Sequence, residues 1–211
     1  MPVTDWQEWH EEYGDPESGL SRRRRAVQDR VRSFLDRRQG PLRVVSACAG
    51  DGSDLLDVLV ARPADAARVT ARLVELDPAL AGRARTTAET HGLDVEVLVA
   101  DAGTTDSYVG AVPADLVLWC GVFGNITDHD IRATVDATPT LAAPGASVVW
   151  TRGRFSDGDL APTIAGWFES RGFVRASYHA DDEHNHRVVE HQLAAEPRSF
   201  EPGLRMFTFV R

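Results

Sequence analysis

The chain has 211 residues, 43% of them apolar, with Lys+Arg 23 against Asp+Glu 32 and a formal net charge of −9. That is the size of one globular domain with enough apolar surface for a core, so composition excludes a disordered chain. The acidic balance argues against a protein held to nucleic acid or an anionic membrane by phosphate charge. No stretch approaches the roughly 18 uninterrupted apolar residues of a membrane span. The two cysteines, Cys48 and Cys120, form neither a disulfide framework nor a zinc-finger spacing. The N-terminal stretch opens with acids and has no apolar segment of the signal-peptide kind, so the expectation is a soluble, reduced, cytoplasmic protein.

In chain order, Trp6, Trp9, His10 and Tyr13 share one face of a predicted short helix over 5–13, which Gly14-Asp15-Pro16 breaks. A second helix over 19–38 carries Val27, Val31, Phe34 and Leu35 and ends at Gly40-Pro41. Its basic run Arg22–Arg25 reads as a solvated face. Residues 1–40 are therefore expected as a helical lid or extension ahead of the main domain at 41–211. Strand-length apolar runs follow at Leu42–Cys48, Ala71–Leu76, Val95–Val99, Leu116–Cys120 and Ser147–Thr151. Between them, helical spacing is found over 53–61, 78–90 and 128–137, the last opened by a Thr127-x-x-Asp130 capping box. Another helix over 159–170 carries Leu160, Ile164, Trp167 and Phe168.

Near-continuous apolar strands alternating with helices predict an α/β doubly wound, mostly parallel sheet covered on both faces. Three further strands, Phe173–Tyr178, Arg187–Leu193 and Met206–Val210, have no helices between them. They must pair as antiparallel ribbons at the sheet edge, and the loops 180–186 and 195–203 are expected to be the mobile parts.

In such a sheet ligands bind at the carboxyl ends of the strands. The first strand runs into Ala49-Gly50-Asp51-Gly52, where the glycines allow a tight turn and close approach of backbone to ligand. The second ends Val74-Glu75-Leu76-Asp77-Pro78, which places Glu75 to accept from the two hydroxyls of a ribose and Asp77 to cap the next helix. The third ends Ala100-Asp101-Ala102-Gly103, where Asp101 can accept from the exocyclic amine of adenine and Ala102 can offer its N–H, although Asp101 also reads as a helix cap.

Taken together and in this order, AGDG, VELDP, VADAG, the fourth strand ADLVLWC and the run LAAPGASVVW resemble the class I S-adenosylmethionine-dependent methyltransferases over about residues 42–210. The resemblance implies a seven-stranded Rossmann-like domain over 41–211 in which GFVRASY is the sixth strand and RMFTFV the antiparallel seventh. It implies S-adenosyl-L-methionine as cofactor, held by Gly50, Gly52, Glu75, Asp101 and Ala102, with Ser46, Cys48, Ala49, Asp51, Asp54, Leu76 and Cys120 around them. Ser46 and Cys48 depart from the pattern, which has an acid and a glycine there. Asp51 or Asp54 can replace the missing charge.

Methyl transfer asks a protein to align the acceptor, exclude water and, for some acceptors, remove a proton. Three residues are candidates for that work: Asn125 after the fourth strand as an orienting group, His129 as a base, and Tyr13 from a lid. Each has a structural reading beside it, as a turn residue, an exposed helix residue and a packed aromatic. Arg152 and Arg154 can hold an acceptor carboxylate, or lie on the surface. His179, Asp181, Asp182, Glu183, His184, His186 and His191 read as a polar loop rather than a metal site. The expected partner is a small-molecule acceptor, without nucleic acid, membrane or metal, on a monomer or homodimer. Transfer of an aminopropyl or aminocarboxypropyl group, and a non-catalytic cofactor-binding protein, are the alternatives. A nicotinamide dehydrogenase would want a third glycine where Leu55 stands.

Overall fold

A computed structural model describes residues 15, 17–155 and 158–210. The predicted helix over 5–13, with Tyr13, lies outside them. The elements are α1 (Gly19–Arg37), β1 (Leu42–Ala47), α2 (Ser53–Ala61), α3 (Pro63–Ala66), β2 (Val69–Glu75), α4 (Pro78–Thr90), β3 (Val95–Val99), β4 (Ala114–Trp119), α5 (Asp128–Leu141), β5 (Ala142–Arg152), α6 (Ala161–Ser170), β6 (Phe173–Asp181) and β7 (His186–Leu193). Among the described residues, no helix is long and apolar enough to cross a membrane.

The seven strands form one sheet in the order β3-β2-β1-β4-β5-β7-β6. β1 pairs in parallel with β2 and β4, β2 with β3, and β4 with β5. β7 runs antiparallel to both β5 and β6. Successive strands are added outward from β1 to β2 and β3 on one side and then from β4 to β5 on the other. The order of addition therefore reverses between β1 and β4, the switch point where doubly wound sheets open a crevice.

Alternation along the strands builds two cores, because successive side chains point to opposite faces. Val44, Leu116, Leu118 and Val149 pack under α1 and α2 with Val31, Phe34 and Leu56. Val45, Val117, Trp119 and Trp150 face the other way, toward Ile131 and Val135 of α5 and Phe168 of α6. The indole N–H groups are satisfied inside: Trp119 donates to Thr138 Oγ1 at 3.2 Å and Trp150 to His191 Nδ1 at 3.1 Å. Helix starts follow cap chemistry. Asp77 accepts from the N–H groups of Ala79 and Leu80, and Thr127 accepts from that of Asp130.

One strand assignment needs correction. The antiparallel seventh strand is His186–Leu193, not Met206–Val210. Val188 and Val189 feed opposite cores, so β7 is buried on both faces and takes an interior position, leaving the mostly exposed β6 at the edge. Residues 203–210 form a strap instead. Met206 N–H donates to the Gly103 carbonyl at 2.7 Å and Val210 N–H to that of Asn125 at 2.9 Å. Thr208 N–H reaches Asp130 Oδ2 at 3.2 Å.

Candidate active site

Beyond β1 the backbone turns through three left-handed residues, Cys48 (φ 49°), Gly50 (φ 58°) and Gly52 (φ 78°). A Cβ on Gly52 would stand 2.6 Å from Leu56 Cδ1 and 2.7 Å from Leu73 Cδ2, so this glycine lets α2 start against β2. Glu75 closes the turn from the end of β2. Its Oε2 accepts the Gly50 N–H at 2.7 Å and its Oε1 the Asp77 N–H at 2.8 Å. Burial raises its pKa above the ordinary carboxylate value, and the amide donors oppose that rise.

Over these strand ends lies a cavity of about 510 Å³. Of the predicted cofactor residues, its wall brings together Cys48, Ala49, Gly50, Asp51 and Asp54 from the first turn, Glu75 and Leu76 from the second, Asp101 and Ala102 from the third, and Cys120 from the fourth. Ser46 and Gly52 are not brought to it. Ser46 is buried within β1 between its partners Leu73 and Leu118, and Gly52 faces the packing just described.

The charges on this wall are mixed. Desolvation pushes Asp54 up to about 6, with Arg23 and Arg24 opposing the rise and the Cys120 thiol hydrogen-bonded to its carboxylate. Burial also raises both thiols, Cys48 and Cys120, well above the usual range. Asp101 Oδ1 accepts the Gly103 N–H at 2.7 Å while its Oδ2 pairs with Arg205 at 2.5 Å.

Several wall residues escaped the sequence reading, five of them from two segments outside the strand ends. Arg23 and Arg24, taken there as part of a solvated face, line the cavity because the N-terminal turns of α1 reach over the β1 turn. Phe207, Thr208 and Phe209 line it from the strap, with the two phenyl rings stacked at 5.8 Å.

A second cavity of about 400 Å³ adjoins the first and shares Arg23 and Gly121 with it. It sits where β5 ends and the reversed β7 begins, since Arg152 pairs with Arg187. Arg152 is 7% exposed, donates to the Phe123 carbonyl, lies 3.8 Å from Asp128 and covers the Phe155 ring at 5.0 Å. Asn125 also lines this cavity. Its Nδ2 donates to the Gly121 carbonyl at 2.6 Å, which holds the loop after β4 closed. The Gly121 N–H in turn donates to Thr151 Oγ1 at 2.9 Å. His186 is 3% exposed, and neither ring nitrogen has a hydrogen-bond partner among the described residues.

Other candidates stand apart. The His129 side chain is 90% exposed on the first turn of α5, beside Asp130 at 3.2 Å, and lines neither cavity. Arg154 turns toward Asp182 at 3.7 Å and does not join Arg152 on the wall. The late His/Asp cluster divides. His184 bonds Asp181 at 3.1 Å, and His191 stacks on Phe168 in the core, where burial holds it down to about 4. Among the described residues no three His, Cys, Asp or Glu groups converge as metal ligands.

No protein-family profile and no curated protein matches the chain. Solved structures do. Magnesium protoporphyrin IX methyltransferase from Synechocystis PCC 6803, with bound S-adenosylmethionine, superimposes with a TM-score of 0.68 at 16% identity, over 90% of this chain and 91% of that one. Precorrin-6y C5,15-methyltransferase from Geobacter metallireducens GS-15 gives 0.58 at 16% identity, over 82% and 87%. An O-methyltransferase family protein from Burkholderia thailandensis gives 0.58 at 19% identity, over 88% and 64%. The fold is that of the class I S-adenosylmethionine-dependent methyltransferases. In this methyltransferase fold the reversed strand β7 brings its first residues to the same rim as the glycine turn.

Proposed function

We propose that the chain is an S-adenosylmethionine-dependent methyltransferase acting on a small-molecule acceptor. The observation that carries this reading is the buried Glu75 carboxylate, locked by the Gly50 and Asp77 amides on the wall of a cavity of about 510 Å³. The residues present suit the cofactor. Glu75 accepts from the ribose hydroxyls. Asp101 and the Ala102 N–H meet adenine, and Leu76 with Phe207 and Phe209 gives apolar cover. Asp54 supplies the negative charge that Ser46 lacks, and Arg23 or Arg24 meets the methionine carboxylate.

When bound, the cofactor supplies a methyl group already activated on a sulfonium. The protein's own work is alignment and water exclusion, with the Gly121 backbone at the junction of the two cavities. The two free thiols accord with a reducing compartment such as the cytoplasm.

Calorimetric titration with S-adenosylhomocysteine, with NAD as control, tests the reading. Micromolar binding of the first ligand is expected, weakened about 10-fold or more in Glu75→Gln, which keeps the shape but loses charge-assisted bonds of about 1.5–3 kcal/mol. Tighter binding of NAD, or no binding of S-adenosylhomocysteine, overturns it.

A further inference from the structure

The second cavity has a chemistry of its own. Its described wall carries the guanidiniums of Arg23 and Arg152, the imidazoles of His184 and His186, and the Phe155 ring, with no carboxylate among the described lining residues. This occurs in a chain of net charge −9. Two of these groups are built in rather than scattered on the surface: Arg152 is 7% exposed and His186 3%. Arg152 is held by the Phe123 carbonyl and by the β5–β7 pairing, so its position is set by the sheet. His186 opens β7, paired with Asp181 across the hairpin, and its neighbouring ring is His179 at 5.7 Å. A buried ring whose two nitrogens both lack partners among the described residues has hydrogen-bonding capacity that those residues do not use.

We infer that this cavity takes a small aromatic oxyanion as the methyl acceptor, its charge met by Arg152 and Arg23, its ring lying on Phe155, and His186 donating to it. The inference rests on the methyltransferase reading and names the substrate class of that same site. Burial holds the His186 imidazole below the usual histidine range, against the pull of Asp181, so the ring is neutral near pH 7 and offers one N–H. The neutral ring thus keeps one N–H to donate to the anion, and its lowered pKa makes its other nitrogen a weak proton acceptor. An acceptor that arrives ionised needs no base. Transfer joins its oxygen to the methyl carbon as the carbon–sulfur bond breaks, and that bond's electron pair stays on sulfur. Oxyanion and sulfonium are both neutralised and no proton moves.

Carboxylates and phenolates share this chemistry, and the test separates them. Benzoate, 4-nitrophenolate, benzamide and benzylammonium are titrated by NMR into the full chain, both alone and saturated with S-adenosylhomocysteine. The His186 ring signals are assigned by their loss in His186→Gln. The expected result is that one or both oxyanions bind and shift the His186 signals, with benzamide and benzylammonium at least tenfold weaker. The oxyanion that binds more tightly identifies the acceptor group. Arg152→Gln is expected to weaken the oxyanion tenfold or more and to leave S-adenosylhomocysteine affinity unchanged. Should that variant misfold, the charge series on the unmodified chain decides. Equal binding of the neutral or cationic probes, oxyanion binding that leaves His186 unmoved, or no oxyanion binding at all overturns the inference. Failure of S-adenosylhomocysteine to bind instead overturns the cofactor reading, and the titration without it still reports on the anion site.

Discussion

The two cavities meet at Arg23 and Gly121 yet differ in almost everything else. The first is walled, among the described residues, by five carboxylates (Asp51, Asp54, Glu75, Asp77, Asp101) with two guanidiniums; the second by two guanidiniums and two imidazoles. The first is made by turns that follow parallel strands. The second exists because one strand is reversed and delivers the start of β7 beside the end of β5. The contrast teaches that the turns after parallel strands gather carboxylates into one cavity, whereas the reversal of a single strand gathers cationic and imidazole groups into the other.

The sharpest way to break the first cavity alone is Gly103→Ala. A Cβ there would stand 2.2 Å from the Phe207 carbonyl oxygen, which forces the strap and its aromatic wall outward. Overpacking of this kind costs about 1–3 kcal/mol, or several degrees of melting temperature, and S-adenosylhomocysteine affinity should fall with it. Scanning calorimetry and titration on the same sample check both.

Asp54→Asn sharpens the comparison by charge. Because the folded-state pKa of Asp54 is raised from 3.8 to about 6, the ionised group destabilises the ligand-free fold above about pH 6, and that destabilisation fades as pH falls through 6 toward 4. The asparagine variant is therefore expected to be more stable than the parent at pH 7.5, by up to about 3 kcal/mol, and no more stable near pH 4. It should bind S-adenosylhomocysteine more weakly at pH 7.5. The parent should lose affinity between pH 7 and 5 while the variant does not. Thermal melts and titrations across that range decide.

A smaller effect belongs to the thiols. Burial keeps Cys48 and Cys120 protonated at pH 8, so iodoacetamide should modify them more slowly than free glutathione, and more slowly still with S-adenosylhomocysteine present. Mass spectrometry over time measures this. The smallest effect is expected for His129→Ala, whose exposed ring lines neither cavity: cofactor affinity and turnover within error of the parent. A loss beyond threefold would restore His129 as a base.

The parallel half was far more legible in the sequence than the reversed half, for a physical reason. Strands β1, β4 and β5 are largely buried on both faces and read as near-continuous apolar runs, and their turns carry glycines and acids whose order is informative. Met206–Val210 has the apolar composition of a strand, but composition does not say what an extended backbone bonds to. Here it bonds loop carbonyls at Gly103 and Asn125 and spends Phe207 and Phe209 on the cavity wall. The stripe Val27, Val31, Phe34 and Leu35 correctly fixed the buried face of α1, but Arg23 and Arg24 depend on what stands above its other end, which is long-range geometry. His186 was visible only as one histidine among several. Burial without partners singles it out, and a sequence does not report burial.

The strap is tied down chiefly by its main chain, with N–H groups at Gly203, Leu204, Met206, Thr208 and Val210 all finding acceptors elsewhere in the fold. Main-chain bonds are indifferent to side-chain identity, so the exposed Leu204 can change without losing the closure, while the left-handed Gly203, the buried Met206 and position 103 stay captive to it. Lineages that drop the strap are released from that constraint. Whether an alanine or larger residue replaces the glycine at 103 then becomes a marker, readable from sequence alone, of a cavity that stays closed or has opened.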